Sequence, residues 1–232
     1  MTQVPEKQPL LLIPGLLSNR QVWAHQIAHL QDIADIQCIE FTNEQTIEQM
    51  LTTTLKNAPL QFAVAGHSMG GCLALELFNI IPDRITKLCL LDTTARGDSP
   101  QKVQRRKQMI EQTQQGKFQT IAKQITDFFV YQPHIKKKVM QMFMEVGPET
   151  FICEEEAMLN LHGYQALLPK ITCPTMVIHG SQDKNFTLDY HEEIVSLIPG
   201  ATLAIVEDAG HMSTMEMPQA VTALMRYWLK EL

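Results

Sequence analysis

Ten residues constrain this chain more than any others: Phe62-Ala63-Val64-Ala65-Gly66-His67-Ser68-Met69-Gly70-Gly71. The apolar run ahead of Gly66 reads as a buried strand, and the helix formers Leu73, Ala74, Leu75, Glu76 and Leu77 follow at once. Between them lies G-x-S-x-G, which predicts a strand, a tight turn and a helix with Ser68 at the tip. Glycines suit that turn because Cβ atoms would crowd a backbone strained enough to hold a hydroxyl outward. The helix beyond Ser68 aims free N–H groups at the space in front of the hydroxyl, where a developing negative charge would be stabilised. A Gly-rich turn with an incidental serine is the plain alternative, and the flanking pattern weighs against it.

The rest of the chain supplies a core for such a turn to stand on. Its 232 residues suit one α/β domain or a core with an insertion, and 45% hydrophobic against 19% charged residues argues for packing rather than disorder. A net charge of −6 argues against a nucleic-acid surface. Five cysteines without a repeating spacing make no disulfide framework; Cys38, Cys72 and Cys89 read as small buried hydrophobes in a reducing compartment. The segment Met1 to Pro9 lacks an apolar signal-peptide stretch, and no apolar run is long enough to span a bilayer, so a cytoplasmic location is expected.

In chain order, Leu10–Ile13 reads as a buried parallel strand ending at Pro14-Gly15. Ser18 or Asn19 is placed to cap a helix through Val22, Trp23, Ile27 and Leu30. A strand over Ile36–Phe41 and a helix opened by Thr42 or Asn43 and running toward Leu55 are predicted next. After the Ser68 helix, which Pro82 stops, a strand over Ile85–Leu91 ends at Asp92. Strand-like runs then vanish until Pro169, leaving four or five short helices broken at Gly97 to Pro100, Gly116, Pro133 and Gly147-Pro148. Strands return at Thr175–His179 and Ala201–Val206, and a last amphipathic helix runs from about Pro218 to Leu229. Strands alternating with helices predict a mostly parallel sheet of about six strands with helices on both faces. Ligands sit beyond the carboxyl ends of such strands.

A serine hydroxyl is a weak nucleophile and needs a base held by a carboxylate. After Ser68, Asp183 stands in His179-Gly180-Ser181-Gln182-Asp183 and His211 in Asp208-Ala209-Gly210-His211-Met212, each just past a strand. With these residues and Ile13-Pro14-Gly15-Leu16 the chain resembles the α/β-hydrolase superfamily in its single-domain form with a helical cap. The resemblance covers nearly the whole chain and implies a core of residues 1–94 and 170–232 with a cap over 95–169. It also implies a Ser68, His211, Asp183 triad and an oxyanion hole from the N–H groups of Leu16 and Met69. Pro14-Gly15 stands where most relatives carry His-Gly.

Several residues keep rival readings. Asp92 competes with Asp183 as the acid, or else is a strand-end or cap-hinge residue, and Asp208 is a stabiliser of the His211 loop. His67 is a usual neighbour of the serine, and no histidine has metal-ligand spacing. Lys136-Lys137-Lys138 and Glu154-Glu155-Glu156 read as solvated helix faces. Phe128, Phe129, Met140 and Phe143, with Met142 and Met144, either line an apolar substrate pocket or form the cap's own core. The implied activity is hydrolysis of a small carboxylic ester, thioester or lactone with a modest apolar group, through an acyl-enzyme and with no metal or organic cofactor. The same residues also serve C–C bond hydrolysis, elimination or perhydrolysis, and a silent small-molecule-binding member is the third class. Product analysis separates the first two, and a fluorophosphonate probe the last.

Overall fold

The computed structural model describes residues 7–232, so the expectation for the N-terminal segment falls, over residues 1–6, outside the described residues. Strand β1 (Gln8–Ile13) is followed by a 3₁₀ turn, Arg20–Trp23, capped by the Asn19 side chain, and by α1 (Ala24–Leu30). Strand β2 (Ala34–Cys38) starts two residues earlier than the apolar pattern suggests and leaves the sheet before Ile39. It is one of the two edge strands, and beyond it the Ile39 N–H still reaches back, to the Leu12 carbonyl at 2.9 Å. Helix α2 (Ile47–Leu55) is capped by Thr46 rather than Thr42 or Asn43. The amides of those two are taken by the Glu44 carboxylate, which diverts the chain into a turn first.

Strand β3 (Phe62–His67), α3 (Met69–Ile80) and β4 (Ile85–Leu91) then come where the pattern places them. Three helices follow: α4 (Pro100–Gln112), α5 (Phe118–Phe129) and α6 (Lys136–Met158). The predicted breaks appear as distortions: Gly116 takes φ 80° in a wide turn between α4 and α5, and Gly147 takes φ 87° as a kink within α6. Strand β5 (Thr175–Gly180), α7 (Leu188–Leu197), β6 (Thr202–Val206), a single turn α8 (Ser213–Glu216) and α9 (Pro218–Glu231) complete the chain.

All six strands pair parallel in the order β2-β1-β3-β4-β5-β6. Side chains alternate between two apolar layers, as the two-residue period of a strand requires. Leu10, Leu12, Ala63, Ala65, Cys89 and Leu91 pack with Val221, Met225 and Trp228 of α9 on one face. Leu11, Ile13, Phe62, Val64, Leu88 and Leu90 pack with Leu73 and Leu77 of α3 on the other. The first layer runs on into Phe118, Ile121, Phe143 and Phe151, so the helical insertion shares its apolar contacts with the sheet. The chain reverses its direction of travel across the sheet between β1 and β3, and at such a switch point the loops diverge and open a crevice.

Candidate active site

The turn after β3 is as tight as its glycines suggest. A Cβ on Gly66 would run into the Gly70 carbonyl, and one on Gly70 into the Ile13 carbonyl at the end of β1. Only hydrogen at both positions lets α3 start this close to the sheet. Ser68 sits at φ 53°, ψ −117°, outside the relaxed regions, held by its N–H to the Leu91 carbonyl at 2.9 Å and by the Thr93 hydroxyl donating to its own carbonyl at 2.7 Å.

The loops after β5 and β6 bring two more residues to it. His211 Nε2 lies 2.9 Å from Ser68 Oγ, and its Nδ1 lies 2.8 Å from Asp183 Oδ2. Asp183 Oδ1 accepts from the amides of Asn185 and Phe186, which leaves Oδ2 to the imidazole. Those partners assign the proton to Nδ1 of His211 and leave Nε2 to accept from the serine. Burial opposes an imidazolium here, but the Asp183 carboxylate outweighs it and raises His211 above its ordinary value. Asp183, buried too, is held below the usual carboxylate range by His211 and the two amides. The imidazole is flanked by the rings of Phe129 at 4.3 Å and Phe186 at 5.7 Å.

The His211 loop is tied down by residues that periodicity did not single out. The buried Glu216 carboxylate accepts from four amides: Gly210 and Met212 on the loop, Tyr131 and Gln132 just beyond α5. The His211 N–H donates to the Phe129 carbonyl at 2.9 Å, and its carbonyl accepts from His67 Nε2 at 2.7 Å. Burial lowers His67 to about 3, so it stays a neutral prop. Asp208 contributes backbone contacts to this loop: its N–H donates to Ser181 Oγ, and its carbonyl accepts from the Gln132 side-chain Nε2. Asp92 is fully buried, but its carboxyl accepts from the Gly180 N–H and the Ser213 hydroxyl, and the imidazole turns to Asp183 instead. Burial and the neighbouring Asp183 push Asp92 up.

A cavity opens above Ser68, with about 820 Å³ of empty space counting its mouth. Leu16 and Met69 line it, and neither backbone N–H has a hydrogen-bond partner among the described residues. The adjacent Leu17, at φ 57°, donates instead to Glu154 Oε2 at 2.8 Å. Phe128 and Phe129 line the cavity with Met109, Ile125 and Phe186, whereas Met140 and Phe143 do not. Phe143 is fully buried and Met140 packs against the same core, because the face of α6 that carries them turns to α5. Met142 is buried likewise, and Met144 is exposed.

The expectation of a solvated Glu154-Glu155-Glu156 face is overturned for two of its members. Glu154 and Glu155 are buried, the first on the Leu17 amide and the second paired with Arg106 Nη1 at 2.6 Å. One group of three possible metal ligands exists among the described residues, Asp92, His179 and His191. His191 spends both ring nitrogens on Thr93 N–H and the Thr187 carbonyl, and Asp92 spends both oxygens as above, so these two are committed to hydrogen bonds, whereas the buried Nδ1 of His179 has no partner among the described residues.

Known proteins match this architecture. A family model described as alpha/beta hydrolase fold matches residues 37–218. The 3-oxoadipate enol-lactonase 2 of Acinetobacter baylyi is 26% identical over 234 residues, covering 93% of this chain and 86% of that one. A thermophilic esterase from Thermogutta terrifontis, solved with malate bound, superposes with a TM-score of 0.87 at 27% identity, over 97% of this chain and 90% of the other. The enol-lactonase from Burkholderia xenovorans LB400 shares the fold, with a TM-score of 0.86 at 22% identity over 99% and 94% of the two chains. No helix among the described residues is long and apolar enough to cross a membrane.

Proposed function

The chain belongs to the α/β-hydrolase family, and from that premise we propose that it is a serine hydrolase cleaving a small carboxylic ester, thioester or lactone. The observation that carries this reading is the unbroken hydrogen-bonded chain from Asp183 through His211 to Ser68, beneath a cavity lined by two unpaired amides. Likeness to an enol-lactonase and to an esterase supports an ester-type bond as the target.

In this reading the substrate carbonyl enters the cavity and Ser68 Oγ attacks it as His211 Nε2 takes the hydroxyl proton. The charge that develops on the carbonyl oxygen is met by the N–H groups of Leu16 and Met69, and each such donor contributes about 3 kcal/mol to the transition state. Asp183 keeps the imidazole in the tautomer that can accept, then stabilises the imidazolium. His211 next protonates the leaving alkoxide or thiolate. A water molecule, deprotonated by the same nitrogen, releases the acid from Ser68. Every group this sequence of steps needs is a side chain or a backbone amide. Residues 95–169 are proposed as a cap, since α4, α5 and α6 all contribute walls to the cavity.

The test uses 4-nitrophenyl esters of graded acyl length. The wild-type protein hydrolyses the short ones, and Ser68→Ala lowers kcat/KM by at least ~10³-fold. A fluorophosphonate labels Ser68 in the wild type. Hydrolysis that survives the substitution would remove Ser68 from the mechanism.

A further inference from the structure

The cavity above Ser68 holds more positive charge than ester hydrolysis requires. Helix α4 turns Lys102, Arg105, Arg106 and Met109 toward it, and their spacing of three, four and seven makes them one face of that helix. The three cations are not equivalent. Arg106 lies between two carboxyls, its Nε 2.5 Å from Asp98 and its Nη1 2.6 Å from Glu155. Lys102 and Arg105 have neither an ion pair nor a side-chain hydrogen bond among the described residues. Their neighbours are aromatic faces instead: Lys102 Nζ is 4.6 Å from the Phe186 centroid, and the Arg105 guanidinium is 5.9 Å from that of Phe128.

Phe186 also packs 5.7 Å from the His211 imidazole, so a single ring separates the Lys102 ammonium from the base. Three cations against two carboxyls leave the cavity a surplus of one positive charge. A half-buried ammonium with no ion pair of its own is costly to maintain, and burial lowers Lys102 although the nearby Asp98 carboxyl acts the other way. A ligand anion relieves that cost, and a carboxylate matches an ammonium beside a guanidinium fork. The same cavity is walled by Met109, Ile125 and Phe128, which suit a short hydrocarbon stem.

We propose that this cavity takes substrates bearing a carboxylate, bound by Lys102 and Arg105, with a short apolar stem leading to the scissile group at Ser68. The assignment of the bond at Ser68 rests on the serine-hydrolase reading; the anion site itself stands on the cavity. Half-esters of dicarboxylic acids, and lactones or esters with a pendant carboxylate, are the chemical class that fits.

Calorimetric titration of Ser68→Ala protein tests the site without turnover. The ligands are monomethyl esters of the dicarboxylic acids from succinic to suberic, each beside its neutral dimethyl ester. A second series of acetylated ω-hydroxy acids, beside their methyl esters, puts the carboxylate on the alcohol half. In one series or the other, the anion binds at least about tenfold tighter than its neutral partner, equal to about 1.4 kcal/mol. Added salt shrinks the advantage. Adding Arg105→Leu, at an exposed position, reduces it, and Lys102→Met together with Arg105→Leu brings it below about threefold. Equal binding of anion and neutral ester, no binding in either series, or an advantage that survives the double substitution overturns the proposal. Fluorophosphonate labelling of the wild type is scored separately. Labelling without anion preference removes the anion site and leaves the hydrolase reading, and anion preference without labelling does the reverse.

Discussion

Ser68 is held in a strained backbone conformation that costs about 1–3 kcal/mol, offset by bonds from β4 and its following loop, and the strain is what points Oγ at His211. The proposed base has its own pH signature. His211 accepts a proton only when neutral, and Asp183 raises it above the ordinary imidazole value of 6.5, so the acidic limb of kcat/KM is expected above that pH. Asp183→Asn moves the limb downward and lowers kcat by roughly 10³-fold or more, which a pH–rate profile of each protein reads. Glu216 is the residue to probe for positioning. Glu216→Ala strands four amides, two of them buried, and is expected to lower stability by about 2–4 kcal/mol, whereas Glu216→Gln keeps an acceptor oxygen and loses less, as urea unfolding would measure. Ser68, Asp183 and His211 could be singled out from chain order alone, because each follows a strand at its carboxyl end. Glu216 could not, since its partners at 131 and 132 are brought near only by the fold.

Among the elements, the β3–turn–α3 unit and the kinked α6 show two different demands for glycine. At Gly66 the obstacle is another carbonyl, so Gly66→Ala forces β3 and α3 apart and is expected to give insoluble or unfolded protein, seen by gel filtration and circular dichroism. At Gly147 there is room: the nearest atom to an added Cβ is Glu149 Oε2, 3.7 Å away. The constraint there is φ 87°, ψ 170°, a conformation reserved almost wholly for glycine, so Gly147→Ala costs about 1–3 kcal/mol on thermal unfolding while the protein still folds. Strand and helix types were readable from apolar runs and from period, and the boundaries failed where side chains intervened. Thr46 rather than Thr42 opens α2 because Glu44 captures the earlier amides. On α6 the acidic run looked solvated, but the helix is covered on two sides, and Glu154 and Glu155 fall on the covered ones.

At the scale of the whole molecule, the insertion and the sheet are joined through buried carboxyls, Glu154 reaching Leu17 and Glu216 reaching Tyr131 and Gln132. Burial pushes Glu154 from an ordinary 4.5 up to about 8, so the folded chain retains a proton that the unfolded chain gives up. That contribution is whole below the ordinary value and is lost as pH rises toward about 8, so the melting temperature falls over this window. Glu154→Gln keeps an oxygen for the Leu17 N–H and flattens the fall; an unchanged slope from calorimetry would show that another group controls it. By itself the sequence determined the parallel α/β architecture, the Ser68 turn, and the order in which Asp183 and His211 follow, because strand runs, turn glycines and strand-end loops are written in neighbouring residues. Only the tertiary structure decided that Met140 and Phe143 face the core, that Glu154 and Glu155 are buried, and that Lys102 and Arg105 line the same cavity as the serine. Periodicity tells which residues share a helix face, but what that face meets depends on how remote segments cross.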